Sequence, residues 1–402
     1  MTASSITRSA LPTTVVWDPA MTAYNFGPGH PMAPQRLELT ARLAGSLGLF
    51  DHSHVAVEAP RVASDVELFT VHSRAYVEAV RRVSDDPLEP EEDRGLGTED
   101  DPAFAGMHEA SARLAGGSLV AAESILDGTA VRAVNFGGGM HHASRERASG
   151  FCVYNDVALA IQRLLDGGVQ RIVSIDVDAH HGDGTQSIFW NDPRVMTISL
   201  HESGLTLFPG TGFANETGGP DAPGTAVNVA LPAFTGDAAW LRAFHAVVPQ
   251  LVSAFAPEVI VSQHGCDSHR LDPLTHLNLS VDGQREAAAA VGGLAAKHCD
   301  NRWIATGGGG YDITGVVPRA WTHLIGMVTQ RPVPLKTPVP QAWRDYVRET
   351  YGAQAPELMG DDVDIWWRSW EVGYDPADQV DRTVMATRKE VFPLYGLDPW
   401  FD

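Results

Sequence analysis

Only three cysteines occur in the 402 residues, Cys152, Cys266 and Cys299, and no two of them stand at CxxC spacing. A disulfide framework and a thiolate zinc site are thereby excluded, and a reducing compartment is expected. Cationic side chains are also scarce: 29 Lys and Arg face 50 Asp and Glu, a formal net charge of −21. A surface of that sign repels phosphate backbones and anionic lipid, so neither nucleic acid nor membrane is an expected partner. Basic partners remain permitted. No run of eighteen apolar residues occurs, and the opening segment, MTASSITRSALPTT, has no apolar core of signal-peptide length. These absences lead to the expectation of a soluble cytoplasmic chain. There is no internal repeat of fixed period.

What is present is globular material: 44% hydrophobic and 20% charged residues, enough to bury a large core without staples. Short β-branched runs alternate with longer amphipathic ones. Strands are expected at Thr14–Trp17, Val131–Phe136, Arg171–Val177, Val195–Leu200, Glu258–Gln263 and Arg302–Thr306. Most are apolar throughout rather than alternating, as strands covered on both faces should be. Helices are expected at Pro34–Leu47, Ser73–Arg82, Ala103–Leu126, Asp156–Leu165, Ala238–Phe255, Gly283–His298 and Gly315–Met327. Strand and helix taking turns predict an α/β fold with a mostly parallel sheet.

Three stretches have no element of their own. Ser84–Pro102 carries nine acids in nineteen residues and reads as a solvated loop. His201–Thr225 holds six Gly and three Pro, and loops of that length in compact domains are usually functional or disordered. Pro332, Pro334, Pro338 and Pro340 mark a stiff connector, followed by a tail with Trp366, Trp367, Trp370, Trp400 and Phe401. So many aromatics suit docking on the main domain, or on a sister subunit, better than independent folding.

Ligands of an open parallel sheet bind beyond the carboxyl ends of its strands. After Val131–Phe136 comes GGGMHHASRERASGFC, with His141 and His142 adjacent. Arg171–Val177 runs into DAHHGDG, which completes Asp176-x-Asp178-x-His180-His181 and adds Asp183. His201 follows Val195–Leu200, Asp267 follows Glu258–Gln263 in HGCDSHRLDP, and Tyr311 follows Arg302–Thr306 in GGGGY. Five strands thus release His, Asp or Tyr at one edge.

Asp176, Asp178 and His180 stand two apart, and alternate residues of an extended segment point to one side. Buried carboxylates that meet repel unless a cation lies between them. Oxygen and imidazole donors without thiolate suit Zn²⁺, Fe²⁺ or Mn²⁺. Asp178 and His180 supply two ligands; Asp267 is the best third, with a helix N-cap beside Ser268 as its structural alternative. His264, His269 and His201 compete for the same place. A His141–His142 pair beside a metal is suited to proton transfer, and Asp176 and Asp183 are available to orient the two rings. Tyr311 can offer its phenolic proton to a developing oxyanion.

Taken in order, GHPMAPQR (Gly29–Arg36), GGGMHHA, SGFCVYND (Ser149–Asp156), DVDAHHGDGTQ, ISLH, FPGTG (Phe208–Gly212), QHGCDSH and GGGGYD resemble the class I histone deacetylase superfamily. LDPLTHLNLS (Leu271–Ser280) is similar to members of its bacterial acetoin-utilisation branch. The resemblance runs from about Thr14 to Met327. It implies an arginase–deacetylase fold, a central, mostly parallel sheet of about eight strands with helices on both faces. A deacetylase domain over 14–330 is expected, with 331–402 as a Pro-rich connector and Trp-rich extension to which nothing transfers.

By the same resemblance Asp178, His180 and Asp267 are ligands of a catalytic Zn²⁺, with Fe²⁺ as the alternative. His142 is the implied general base and acid, His141 its electrostatic partner, and Asp176 and Asp183 the groups that orient them. Tyr311 polarises the acetyl carbonyl. Phe151 and Phe208 are implied walls of a narrow tunnel lined by Gly150, and Arg36 lies in the pocket beneath the metal. Asp100, with Asp101 adjoining, holds the substrate backbone at the rim. A structural K⁺ is implied at Asp176, Asp178, Ser199 and the carbonyls of His180 and Leu200. One departure is SHRL at Ser268–Leu271, where many relatives keep a glycine.

The implied reaction is hydrolysis of Nε-acetyl-lysine to lysine and acetate on acetylated metabolic enzymes such as an acyl-CoA synthetase. Acetylated polyamines are the nearest alternative substrate. A ureohydrolase would share the fold but needs ligands for two Mn²⁺, and one complete set is legible. A silent binding module would lack a catalytic group, and every expected group is present.

Overall fold

A computed structural model of the chain describes residues 10–402; the first nine residues of the opening segment lie outside it. Eight strands form one wholly parallel sheet: β1 (Thr13–Val16), β2 (Val55–Glu58), β3 (Arg132–Asn135), β4 (Ile172–Asp176), β5 (Val195–Glu202), β6 (Ala226–Leu231), β7 (Val259–Gln263) and β8 (Trp303–Thr306). Their order across the sheet is β2-β1-β3-β8-β7-β4-β5-β6. Central strands such as β4 (IVSID), β7 (VIVSQ) and β8 (WIAT) are buried along their whole length. Cover on both faces is what unbroken apolar runs require.

The two strands that had no individual expectation are the two edges. β2 (VAVE) is largely exposed, so its apolar run is short and mixed with charge. β6 (AVNVAL) carries a polar residue at its middle and follows directly on the Gly/Pro-rich stretch. Of the two, β2 reads weakly through exposure, whereas β6 is buried and is broken up by Asn228.

Eleven α-helices connect and cover the strands among the described residues: α1 (Gln35–Ser46), α2 (Asp65–Leu68), α3 (Arg74–Asp85), α4 (Met107–Leu126), α5 (Asp156–Asp166), α6 (Asp183–Ile188), α7 (Asp237–Phe255), α8 (Val281–His298), α9 (Val317–Val328), α10 (Gln341–Tyr351) and α11 (Gln379–Val391). Seven correspond to the expected helices. The short α2 and α6, and the two helices of the tail, do not. Helices α4 and α5 pack on each other over one face, while α1, α9, α8 and α7 follow one another across the opposite face, and α11 extends that layer over β6. Starts are set locally: the Asn155 side chain accepts the Ala158 N–H to open α5, and Ser280 accepts the Gly283 N–H to open α8.

The acidic stretch is largely solvated, as expected, but anchored at a few points. Helix α3 runs on to Asp85, Glu91 bridges to Leu96, and Leu96 and Asp101 are buried. Seven of its nine acids, Asp85, Asp86, Glu89, Glu92, Asp93, Glu99 and Asp100, are exposed.

In the C-terminal segment, Trp343 of α10 donates its indole N–H to the Leu39 carbonyl (3.1 Å), and Trp367 stacks on His245 of α7 at 4.6 Å. The strongest tie is electrostatic. Arg242 of α7 forks onto both carboxylate oxygens of Asp381 in α11 (2.6 and 2.8 Å), and both side chains are buried. Its remaining N–H groups reach the Arg368, Ser369 and Gly373 carbonyls. Removing one member of such a pair leaves the other charge buried and uncompensated, at about 3–5 kcal/mol. Arg242→Met is therefore expected to lower the urea midpoint by that order, and Arg242→Met/Asp381→Leu to recover part of it.

Candidate active site

The loops leaving β4 and β7 bring Asp178, His180 and Asp267 together. Nδ1 of His180 lies 3.1 Å from Asp178 Oδ1 and 3.0 Å from Asp267 Oδ2. All three donor atoms lie within 4.8 Å of one another. Each carboxylate ties one oxygen to the protein and turns the other toward the imidazole. Asp178 Oδ2 accepts from Gln263 Nε2 (2.8 Å) and the Gly309 N–H (2.9 Å); Asp267 Oδ1 accepts from the Ala179 N–H (2.8 Å). Gly309 is required here, because a Cβ would stand 2.0 Å from Asp267 Oδ2.

Burial opposes ionisation of both acids. For Asp178 it is overcome by His141 and His180, which hold the carboxyl well below its usual range. Asp267 is instead pushed up, by burial and then by the charge of Asp178. Two buried carboxylates and one imidazole nitrogen at this spacing form a donor set that a small divalent cation relieves. Their separations are those of neighbouring ligands around an ion bound at roughly 2.0–2.2 Å. The residues fit the metal.

Beside this group, His141 and His142 face each other Nε2 to Nε2 at 3.0 Å. Their outer nitrogens are each held by an acid: His141 Nδ1 by Asp176 Oδ2 (2.7 Å) and His142 Nδ1 by Asp183 Oδ1 (2.7 Å). A carboxylate at Nδ1 selects the tautomer and aims the other nitrogen into the site. The two rings nonetheless differ. Burial disfavours charge on His141, but Asp176 and Asp178 outweigh it and hold the ring up to about 9. Burial, reinforced by the charge of His141, takes His142 down to about 4. The surroundings thus push the two rings in opposite directions.

Aromatic rings line the way in. Phe208 lies 5.1 Å from the His142 ring and 6.3 Å from that of His180, while Phe151 meets Tyr311 edge-on at 5.7 Å. Gly150, at φ +54°, fits between them because a Cβ would stand 2.4 Å from His142 and 3.0 Å from Phe208. Phe151 itself has φ 68°, a costly conformation for a residue with a side chain, and its carbonyl is held by the Tyr24 hydroxyl at 2.7 Å. Burial, then the charges of Asp267 and Asp178, raises the Tyr311 phenol well above its usual value and keeps it a proton donor. Asp100 stands exposed near this entrance; its carbonyl faces His30 Nε2 at 3.1 Å, and the His30 ring meets Phe151 at 4.6 Å. Arg36 is buried behind Tyr311, 5.7 Å from its ring, and donates to the Gly308 and Gly310 carbonyls at 3.0 Å each.

The three competing histidines stand apart from the cluster. His201 is bonded to Ser199 Oγ (2.8 Å) and the Gly212 carbonyl (2.9 Å), His264 to Ser262 Oγ (2.8 Å) and His269 to Asp361 (2.8 Å). They follow the same strands, but their rings are spent on the protein. Of the residues expected around K⁺, Asp176 and Ser199 are register partners across β4 and β5, Leu200 is buried in β5, and Asp176 and Ser199 line one small closed cavity.

Four supporting residues escaped the sequence reading. Asn155 donates to the His141 and Ala143 carbonyls, Asp156 accepts the N–H groups of Gly139 (2.9 Å) and Met140 (2.7 Å), Gln263 holds Asp178, and Asp272 accepts the Tyr311 N–H at 2.8 Å. All four lie within the motifs SGFCVYND, QHGCDSH and LDPLTHLNLS, which assigned them no role of their own. Asp156→Ala leaves two buried N–H groups without an acceptor, each about 1–3 kcal/mol. A lower unfolding midpoint together with reduced turnover is expected; a variant that keeps both would remove Asp156 from the support of the histidine loop.

Residues 30–328 match the family described as "Histone deacetylase domain". The chain is 40% identical over 380 residues to the acetoin utilization protein AcuC of Bacillus subtilis (strain 168), covering 93% of this chain and 97% of that protein. To the protein of the same name from Staphylococcus xylosus it is 41% identical over 312 residues, covering 77% and 80% respectively. Among solved structures, an HDAC homolog from Aquifex aeolicus superposes with a TM-score of 0.80 at 28% identity, over 93% of this chain and 99% of that one. An HDAC homolog complexed with SAHA matches with the same TM-score at 27% identity, over the same shares of the two chains. The eight-stranded sheet is therefore the arginase–deacetylase fold, in a family that is metal-dependent, generally on zinc. On sequence, sheet and site geometry together, the chain belongs to the histone deacetylase family and is a hydrolytic deacetylase of its acetoin-utilisation branch.

Proposed function

We propose that the chain hydrolyses Nε-acetyl-lysine in proteins to lysine and acetate. One observation carries this reading: three metal-type donors lie at the foot of a phenylalanine-lined entrance, with a His–Asp pair and a protonated tyrosine around them. Asp178, His180 and Asp267 would hold the ion, Zn²⁺ by family habit and Fe²⁺ as the alternative. When bound, such an ion polarises an amide carbonyl and acidifies water.

The chain's own groups supply the rest. Asp183 fixes the tautomer of His142, whose Nε2 takes a proton from the attacking water and returns it to the departing lysine nitrogen. His141, held charged by Asp176, places a positive field beside that transfer. The Tyr311 hydroxyl donates to the oxygen on which negative charge develops. Phe151 and Phe208, with Gly150 between them, admit a slender uncharged chain, which acetylation makes of lysine. Asp100 is suited to accept a substrate backbone N–H at the rim, and Arg36 faces the side on which acetate departs. We also propose K⁺ at Asp176, Asp178, Ser199 and the His180 and Leu200 carbonyls. The division into a 14–330 deacetylase domain and a 331–402 extension, and a cytoplasmic location, belong to the same proposal. No helix of the described residues is long and apolar enough to cross a membrane.

Kinship with the acetoin-utilisation branch supports acetylated metabolic enzymes, such as an acyl-CoA synthetase, as targets. The exposed acids Glu99 and Asp100 would also suit the second amine of an acetylated polyamine. Among the described residues one three-donor group is found, which favours this chemistry over a two-metal ureohydrolase.

The test is acetate release from acetyl-lysine peptides and acetylpolyamines by metal-stripped protein reloaded with Zn²⁺, Fe²⁺ or Mn²⁺. Peptide hydrolysis restored by Zn²⁺ or Fe²⁺ is expected; hydrolysis of acetylpolyamines alone would overturn the protein-substrate reading. Tyr311→Phe should lower turnover roughly 10²–10³-fold with metal content unchanged. Asp267→Ala should lose metal and activity together.

A further inference from the structure

Four large apolar side chains stay exposed on loops at the carboxyl edge of the sheet: Leu205 (83% exposed), Phe234 (74%), Leu271 (59%) and Phe208 (43%). Their loops share one anchor. Glu202, buried at the end of β5, accepts from Thr206 Oγ1 (2.9 Å), from the His276 N–H (2.8 Å) and from His276 Nδ1 (2.9 Å). Phe234 is tied to the same point, donating its N–H to the His276 carbonyl at 2.8 Å, with the two rings 6.0 Å apart. Leu205 lines an open groove of about 450 Å³ with Pro232 and Ala233, which reaches Arg382 and Thr383 of α11. The apolar groups are therefore displayed on a braced surface, not on independent loops.

Two of the loops that carry these groups also serve the candidate tunnel. Phe208, on the same loop as Leu205, is one of its walls, and Leu271 adjoins Asp272, which holds the Tyr311 N–H. The opposite lip, at Glu99, Asp100 and His30, is acidic and polar. The entrance is thus apolar on one side and charged on the other. A peptide whose lysine fills the tunnel must lay the neighbouring residues on this rim.

We propose that the Leu205–Phe234–Leu271 shelf binds a large apolar side chain next to the acyl-lysine of a protein substrate. The proposal rests on the lysine deacetylase reading above and deepens it. A free acetylated amine has no group to occupy the shelf, so the surface selects a polypeptide carrying Leu- or Phe-like residues beside the modified lysine. Covering one such side chain on an apolar surface is worth about a tenfold gain in affinity.

The experiment uses the metal-loaded full chain and acetyl-lysine peptides that differ only in the flanking residues: Ala, Leu, Phe or Asp. Leu and Phe flanks should lower KM about tenfold against Ala, with kcat changed less than about twofold. Leu205→Ser/Phe234→Ser should abolish that preference while hydrolysing the Ala-flanked peptide and end-blocked Nε-acetyl-lysine as before. Equal KM for every flank overturns the proposal, and so does a preference that survives in the variant. A concentration-dependent dimer that the double substitution dissociates, without any flank preference, overturns it too and assigns the shelf to a second copy. Fluorescence anisotropy of the labelled peptides reads the shelf separately from turnover. Flank-dependent binding without hydrolysis would sink the reaction and leave the shelf; hydrolysis without flank dependence would sink the shelf alone.

Discussion

Two buried aspartates facing one imidazole nitrogen at about 3 Å are the constraint around which the rest of this molecule is arranged. Such crowding of negative charge away from water is unfavourable in the absence of a compensating cation. The protein holds it in place by spending rigid groups on the far oxygens: the Gln263 amide and the Gly309 and Ala179 N–H groups. Those groups come from three different strand ends, so the cluster is only as stable as the register of β4, β7 and β8. The buried, evenly paired centre of the sheet provides that register.

The same logic extends outward by one layer. Neither histidine of the adjacent pair is free to rotate, since each has its own carboxylate, and the loop bearing them is fastened by Asn155 and Asp156 at the start of α5. Unequal surroundings then push two identical side chains in opposite directions. Asp176 and Asp178 lie against His141, whereas His142 feels the charge of its neighbour. Pairs of titratable groups driven apart in this way are the usual mark of divided acid–base duties.

The C-terminal segment is woven into this arrangement and does not hang from it. Asp361 takes His269 at 2.8 Å and Arg319 at 2.9 Å, so a residue of the extension helps to fix the loop that begins at Asp267. Further along, the Arg242–Asp381 pair joins α11 to the face of α7.

Much was legible from residue order alone. Continuous apolar runs announced the central strands, because burial on both faces leaves no room for alternation, and the residues after them named the chemistry. Motif order then identified the family. Edge strands β2 and β6 were not legible individually, since β2 is exposed and mixed with charge and Asn228 interrupts the apolar run of β6. Nor could spacing distinguish Asp267 from His201, His264 or His269: all follow strands of one sheet and all can ligate a metal. That choice was made in three dimensions, where Ser199, Ser262 and Asp361 occupy the histidine rings and leave Asp267 turned toward His180. The supporting residues Gln263 and Asp272, and the gathering of exposed apolar groups around Glu202, likewise depend on contacts between distant segments. The sequence determined which groups were available. Packing decided which of them meet, because among the described residues only Asp178, His180 and Asp267 bring their donor atoms within ligand distance of one another.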